Sequence, residues 1–228
     1  MAGVPGAQTL PGQTRIAAPP DLSDRGSFEI FSASQRIGSE VFEIRSHGDD
    51  IEARGEDHLQ VSENGVETEI RASSTLLLDS QLQPISYSWS QKGTKSSQLR
   101  IDFRSQPVHV RYVLVNGHEE RRDFKLPPDV VVLDDNAVYQ YQLALARYDQ
   151  AKGGRQVLRA FIPQEAMPGE ITLNFVGVDS FPGDAQKKAL RHFLLTTEST
   201  QIDLWCDEHG HLQGVSSPAA QFQAVRKK

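Results

Sequence analysis

The chain of 228 residues carries 24 Lys and Arg against 30 Asp and Glu, a formal net charge of -6, which argues against general binding to a nucleic-acid backbone. A hydrophobic fraction of 38% and a mean hydropathy of -0.46 supply enough apolar residues for a sizeable core. No apolar run approaches the roughly 20 residues that span a bilayer, and a single cysteine, Cys206, excludes an intramolecular disulfide.

Residues 1–25 are rich in Pro, Gly and Ala without hydrophobic periodicity, the pattern of a disordered leader. They lack the charged start and continuous apolar segment of a secretory signal. From residue 26 to 228 no Pro/Gly/Ser linker divides the chain, so one domain is expected there.

That domain opens with short alternating segments. Phe28 and Ile30, then Val41 with Phe42 or Ile44, mark sheet faces, and Gly38-Ser39 and His47-Gly48-Asp49-Asp50 read as turns between them. Ile51–Val61 and Val66–Leu78 flank Glu63-Asn64-Gly65, a hairpin signal because both central positions of a type I′ turn need positive φ. Strands follow at Pro84–Trp89 and Leu99–Arg104. Val108, Val110, Tyr112 and Leu114 line one face of the next, and Asn116-Gly117 turns it back. Its other face ends in Val113 and Val115, so the strand becomes apolar on both sides toward the tip.

Between Leu133 and Ile162 the period changes. Val138, Tyr141, Leu145 and Tyr148 fall on one helical face, and Tyr139, Leu143 and Ala146 form an adjoining stripe. Asp134, Asp135 and Asn136 are N-cap candidates, while Lys152 and Gly153-Gly154 suit a C-terminus, which predicts a buried helix from about Asn136 to Ala151. Beyond it the pattern predicts strands at 157–162, 171–178, 189–197, 202–206 and 222–225. Turns at Met167-Pro168-Gly169, Phe181-Pro182-Gly183-Asp184 and Glu208-His209-Gly210 separate them. Ile171, Leu173 and Phe175 share a face; Val176 and Val178 take the other, and Arg191 and His192 precede the apolar Phe193-Leu194-Leu195. The predicted fold is mainly β within the α+β class: a large curved antiparallel meander, an open half-barrel, with one principal helix packed on its concave face.

Catalytic signatures are scarce. Cys206, His209 and His211 are metal-ligand types, but a buried thiol beside a solvated turn accounts for them more simply, and no metal or other cofactor is expected. Asp49-Asp50 and Asp134-Asp135 read as turn and cap acids. No nucleophile elbow, phosphate loop, dinucleotide fingerprint or H-E-x-x-H occurs, so any enzyme would be built from dispersed residues and no catalytic residue is assigned.

The long meander, the helix with Asn136, Tyr141 and Tyr148, the Gly153-Gly154 stop, the Ile162-Pro163-Gln164 exit and the terminal D-L-W-C-D-E-H-G-H-L-Q-G-V resemble uncharacterised bacterial envelope proteins. Those are similar in fold to the lipoprotein-localisation carriers and other half-barrel, or β-clam, lipid carriers. The present chain departs in having one helix and no lipobox cysteine. The resemblance implies a non-catalytic protein, periplasmic or exported with a cytoplasmic location as the alternative, that shields a hydrophobic small molecule, lipid or lipidated partner. The competing reading is a structural or assembly protein whose sheet is filled by its own helix. If a ligand binds, the two-sided strand ends place it among Val113, Val115, Val176, Val178, Phe193 and Leu195, with Tyr139, Arg191 and His192 as polar groups at the mouth.

Overall fold

The computed structural model describes residues 22–63, 66–92, 96–134, 137–182 and 187–227. The strands β1 (Asp24–Ser32), β2 (Gln35–His47), β3 (Asp50–Glu63), β4 (Val66–Asp79), β5 (Pro84–Lys92), β6 (Ser97–Asp102), β7 (Val108–Val113) and β8 (Glu119–Phe124) form a continuous antiparallel meander. After the short β9 (Val131–Val132) and the helix α1 (Gln140–Ala146), a second meander comprises β10 (Arg155–Ile162), β11 (Met167–Asp179), β12 (Leu190–Thr196), β13 (Gln201–Cys206), β14 (Leu212–Ser217) and β15 (Phe222–Arg226). Antiparallel pairing of β1 with β15 joins the halves into one sheet with β8 at one edge and β9, parallel to β10, at the other. Among the described residues this is one open sheet of fifteen strands, as the alternating pattern predicts.

The period-2 alternation decides which face is buried. Phe28 and Ile30, Phe42 and Ile44, Leu76 and Leu78, Val108 and Val110 are all buried, and they share one core with Leu173, Phe193, Leu195 and Leu204 from the second meander. The sheet curls until its far ends meet through side chains: Phe124 of β8 packs against Phe161 of β10 with ring centroids 4.9 Å apart, and the Tyr112 hydroxyl donates to the Pro163 carbonyl at 2.9 Å.

Several local expectations need correction. The first turn lies at Ala33-Ser34, both with positive φ (47° and 66°), and not at Gly38-Ser39. Gly38 instead sits inside β2 facing Leu59, where a Cβ would come 2.1 Å from the His58 carbonyl oxygen, so close backbone approach and not a turn explains the glycine. Met167-Pro168-Gly169 belongs to β11; the turn before it spans Pro163 to Ala166. β14 was not expected at all, because Gly214, Ser216 and Ser217 are buried without forming an apolar alternation. The expected turn and cap residues Asn64-Gly65, Asp135-Asn136 and Gly183-Asp184 lie outside the described residues.

The helix is shorter than its periodicity suggests, seven residues with no side-chain N-cap of its own. At its start, the Gln140, Tyr141 and Gln142 N–H groups donate in tight i→i−3 bonds to the Ala137, Val138 and Tyr139 carbonyls; after it, the Asp149 carboxylate accepts the Ala151 and Lys152 N–H groups, and Gly153 and Gly154, both at φ +60°, reverse the chain. The expected stripe is nonetheless buried: Val138, Leu145 and Tyr148 fully and Tyr141 partly. Because β2 and β3 approach so closely at Gly38, replacing it with alanine should destabilise the protein by about 1–3 kcal/mol. A lowered urea midpoint is the expected reading, and an unchanged one would contradict the approach.

Candidate functional site

The concave face is occupied by residues 130–134 and 137–148. Tyr139 stacks parallel to Phe42 at 6.4 Å, with Phe28 behind Phe42 at 5.3 Å, and the Tyr139 and Ser74 hydroxyls share a 3.0 Å hydrogen bond. Gly55 leaves room for this ring: a Cβ there would lie 2.5 Å from Tyr139 Cε1. The Tyr87 hydroxyl donates to Asp134 Oδ2 at 2.6 Å, and Asp134 also receives the Gln164 N–H and donates its own N–H to Gln140. Asp134 therefore fixes the entry of the segment and not the helix N-cap that its position suggested.

That cap comes from across the sheet. Glu40, fully buried on β2, accepts the Val138 N–H at 2.6 Å and the Tyr139 N–H at 2.8 Å. Its neighbour in register is Asp57 of β3, 7% exposed. Burial, then the facing Asp57 carboxylate, drives the Glu40 carboxyl well above its usual range, although the two backbone donors pull the other way. Burial raises Asp57 to about 7. Two facing carboxyls in a water-poor site titrate as a unit and favour holding a shared proton. Neither acid was singled out from sequence, yet the signal existed: Glu40 falls in phase with Phe42 and Ile44, and Asp57 in phase with Ala53, Gly55 and Leu59.

The predicted ligand residues divide into separate places. Phe193 and Leu195 are core residues, and Tyr139 lies in the filled centre. Val113 is half-buried and Val115 exposed, both toward the other end of the sheet from β12. Val176 is exposed beside a bulge in β11 that shifts the register between Phe175 and Gly177. The bulge returns Val178 to the Phe175 face, opposite Arg191, where plain alternation would have put it on the reverse. His192 faces outward, stacked on Trp205 at 4.4 Å between Asp179 and Asp203, at 3.0 and 2.8 Å from its two ring nitrogens.

Val178, Arg191 and Phe193 do come together, with Tyr148 and Phe175, as a lip at the open end of the concave face. The Arg191 guanidinium lies 5.2 Å from the Phe193 ring centroid and 5.8 Å from that of Phe175, and it donates to the Gln150 side chain. Tyr148 meets Phe193 edge-on at 5.1 Å. Phe175 and Val178 remain 39% and 62% exposed. Tyr148 and Phe175 belong to this group although sequence assigned one to the helix core and the other to a sheet face.

Among the described residues no group of three or more His, Cys, Asp or Glu is placed to hold a metal ion. Cys206 is buried, which pushes its thiol up to about 11, and Asp207 accepts the His209 and His211 N–H groups as turn chemistry. No helix among the described residues is long and apolar enough to cross a membrane.

Comparison with protein-family models and with curated proteins finds no match. Among solved structures, the chain is similar to a DUF1089 family protein from Pseudomonas aeruginosa, with 15% identity, 79% of this chain and 90% of the other covered, and a TM-score of 0.49.

The acid pair makes stability depend on pH in a defined direction. Asp57 holds its proton more tightly in the fold than in the unfolded chain, so its contribution is full below pH 3.8 and is lost as pH rises through about 7. For one proton the slope is about 1.4 kcal/mol per pH unit within that window. Melting temperature should therefore fall between pH 5 and 7.5, and Asp57→Asn should flatten the profile. A wild-type profile that rises over this range would contradict the assignment.

Proposed function

We propose that the protein is a non-catalytic binding protein that takes a hydrophobic ligand, an acyl chain or a lipidated partner segment, at the lip formed by Tyr148, Phe175, Val178, Arg191 and Phe193. The observation that carries this reading is the pairing of exposed Phe175 and Val178 with a cation stacked on aromatic rings. Apolar surface left in water forgoes about 25 cal/mol per Å², and Arg191 adds a donor group for the polar end of an amphiphile. The ligand binds at the rim, because the chain's own segment occupies the space beneath Tyr139.

The same occupancy favours a second reading, a structural protein whose sheet needs only its own segment as filling. Titration with a fluorescent fatty-acid probe separates the two. Binding is expected, weakened about tenfold, or 1.4 kcal/mol, by Phe175→Ser or Val178→Asp with the melting temperature maintained. Equal binding by these variants would remove the lip from the account, and no binding by the wild type would favour the structural reading.

A further inference from the structure

The outer face of β2 to β5 bears a groove of about 550 Å³ that neither the filled interior nor the lip uses. Two adjacent cross-strand rows form it. In one, His58, Arg71 and Lys92 stand in register on β3, β4 and β5; in the other, Glu56, Ser73 and Ser90 do the same. Arg71 and Lys92 are thus like charges placed directly opposite each other, an arrangement that costs a sheet stability, and β5 contributes no acid to offset it. Glu69 binds Arg71 at 2.8 Å and His58 at 2.6 Å through the same oxygen, Oε1. Among the described residues no carboxylate lies within ion-pair distance of the Lys92 ammonium. The cationic end of the groove therefore has donor capacity left for an anion.

The other row reads hydroxyls. Ser73 and Ser90 bond each other at 2.9 Å, which uses one of their two O–H donors and leaves the second with several lone pairs. Glu56, exposed and in register with Ser73, is an acceptor, and Val41 beside it, 58% exposed, offers an apolar step against which the C–H face of a ring can lie. Along the strands the two rows are two residues apart, about 7 Å. That separation suits one small molecule with a charged group at one end and hydroxyls at the other.

We propose that this groove binds a phosphorylated polyol, with its phosphate between Arg71 and Lys92 and its hydroxyls on Ser73, Ser90 and Glu56. The shared chemistry is found in a soluble sugar phosphate and in a phosphorylated polyol lipid headgroup. The site is independent of the lip.

Calorimetric titration of the full chain with glucose 6-phosphate, inorganic phosphate and glucose tests the assignment, alongside co-sedimentation with phosphatidylcholine vesicles containing phosphatidylinositol 4-phosphate. Glucose 6-phosphate should bind, inorganic phosphate about tenfold more weakly and glucose not measurably, because each contributes only part of the recognition. Vesicle binding without glucose 6-phosphate binding would assign the groove to a lipid headgroup. Lys92→Gln should weaken binding of whichever ligand is held about tenfold, and Lys92→Glu should abolish it while raising the melting temperature, since it pairs with Arg71 across the strands. The groove is not such a site if neither ligand binds, if inorganic phosphate binds as tightly as glucose 6-phosphate, or if Lys92→Gln leaves binding unchanged.

Discussion

The carboxyl of Glu40, accepting the Val138 and Tyr139 N–H groups at 2.6 and 2.8 Å, is the contact on which the interior arrangement depends. An isolated seven-residue helix is too short to hold itself together, and the Val138 and Tyr139 N–H groups of the turn that leads into it need partners. Here the partner belongs to the sheet, so forming the helix and docking it are one event. A buried carboxyl is expensive, and the proton favoured by the Glu40–Asp57 pair lowers that expense by removing one charge. Once Val138 and Tyr139 are held, the Tyr139 ring falls over Gly55 and its hydroxyl reaches Ser74.

From that point the segment ties both meanders together. Tyr87 in the first holds Asp134, whose carboxylate also receives the Gln164 N–H at the start of the second. Gln142 accepts the Leu212 N–H of β14, and the Arg147 guanidinium donates to the Leu82 and Asp129 carbonyls. On the same face as this plug, the Arg226 guanidinium of β15 lies 5.2 Å over the Phe42 ring and grips Asp24 of β1 at 2.6 and 2.8 Å. The two halves, adjacent through β1 and β15, are thus braced both along the backbone ladder and through the filling.

Filling the concave face with polypeptide leaves exposed apolar and charged side chains at the margins. The lip retains aromatic rings and a cation because the β11 bulge turns Val178 toward Arg191, and the outer face retains charged and hydroxyl side chains because, among the described residues, no element packs over them. One outer region differs: Phe181 covers Trp205 edge-on at 5.0 Å, above Gly214, whose missing side chain makes the space. His192 and its two aspartates rim that small cluster, which explains their positions as packing of the β11–β12 end.

Much of the sheet was readable from residue alternation alone. Phe28 with Ile30, Val108 with Val110, and the turn closed by Gly117 state their faces and connections locally, since a strand's burial repeats every second residue and the positive φ of 76° at Gly117 favours glycine. The helical stripe of Val138, Leu145 and Tyr148 was equally plain, but its length was not, because Asp149 takes the Ala151 and Lys152 N–H groups that a longer regular helix would have satisfied itself. Strand β14 carries no local signature, since its buried serines and glycine are selected by what packs against them. The bulge that carries Val178 across the sheet, and the meeting of Phe175, Arg191 and Tyr148, follow from register between segments distant in the chain. Local sequence determined which residues turn inward on most strands; only the tertiary structure decided which acid would meet the helix and which side chains would share a surface, because those are pairings between strands and no single segment encodes its partner.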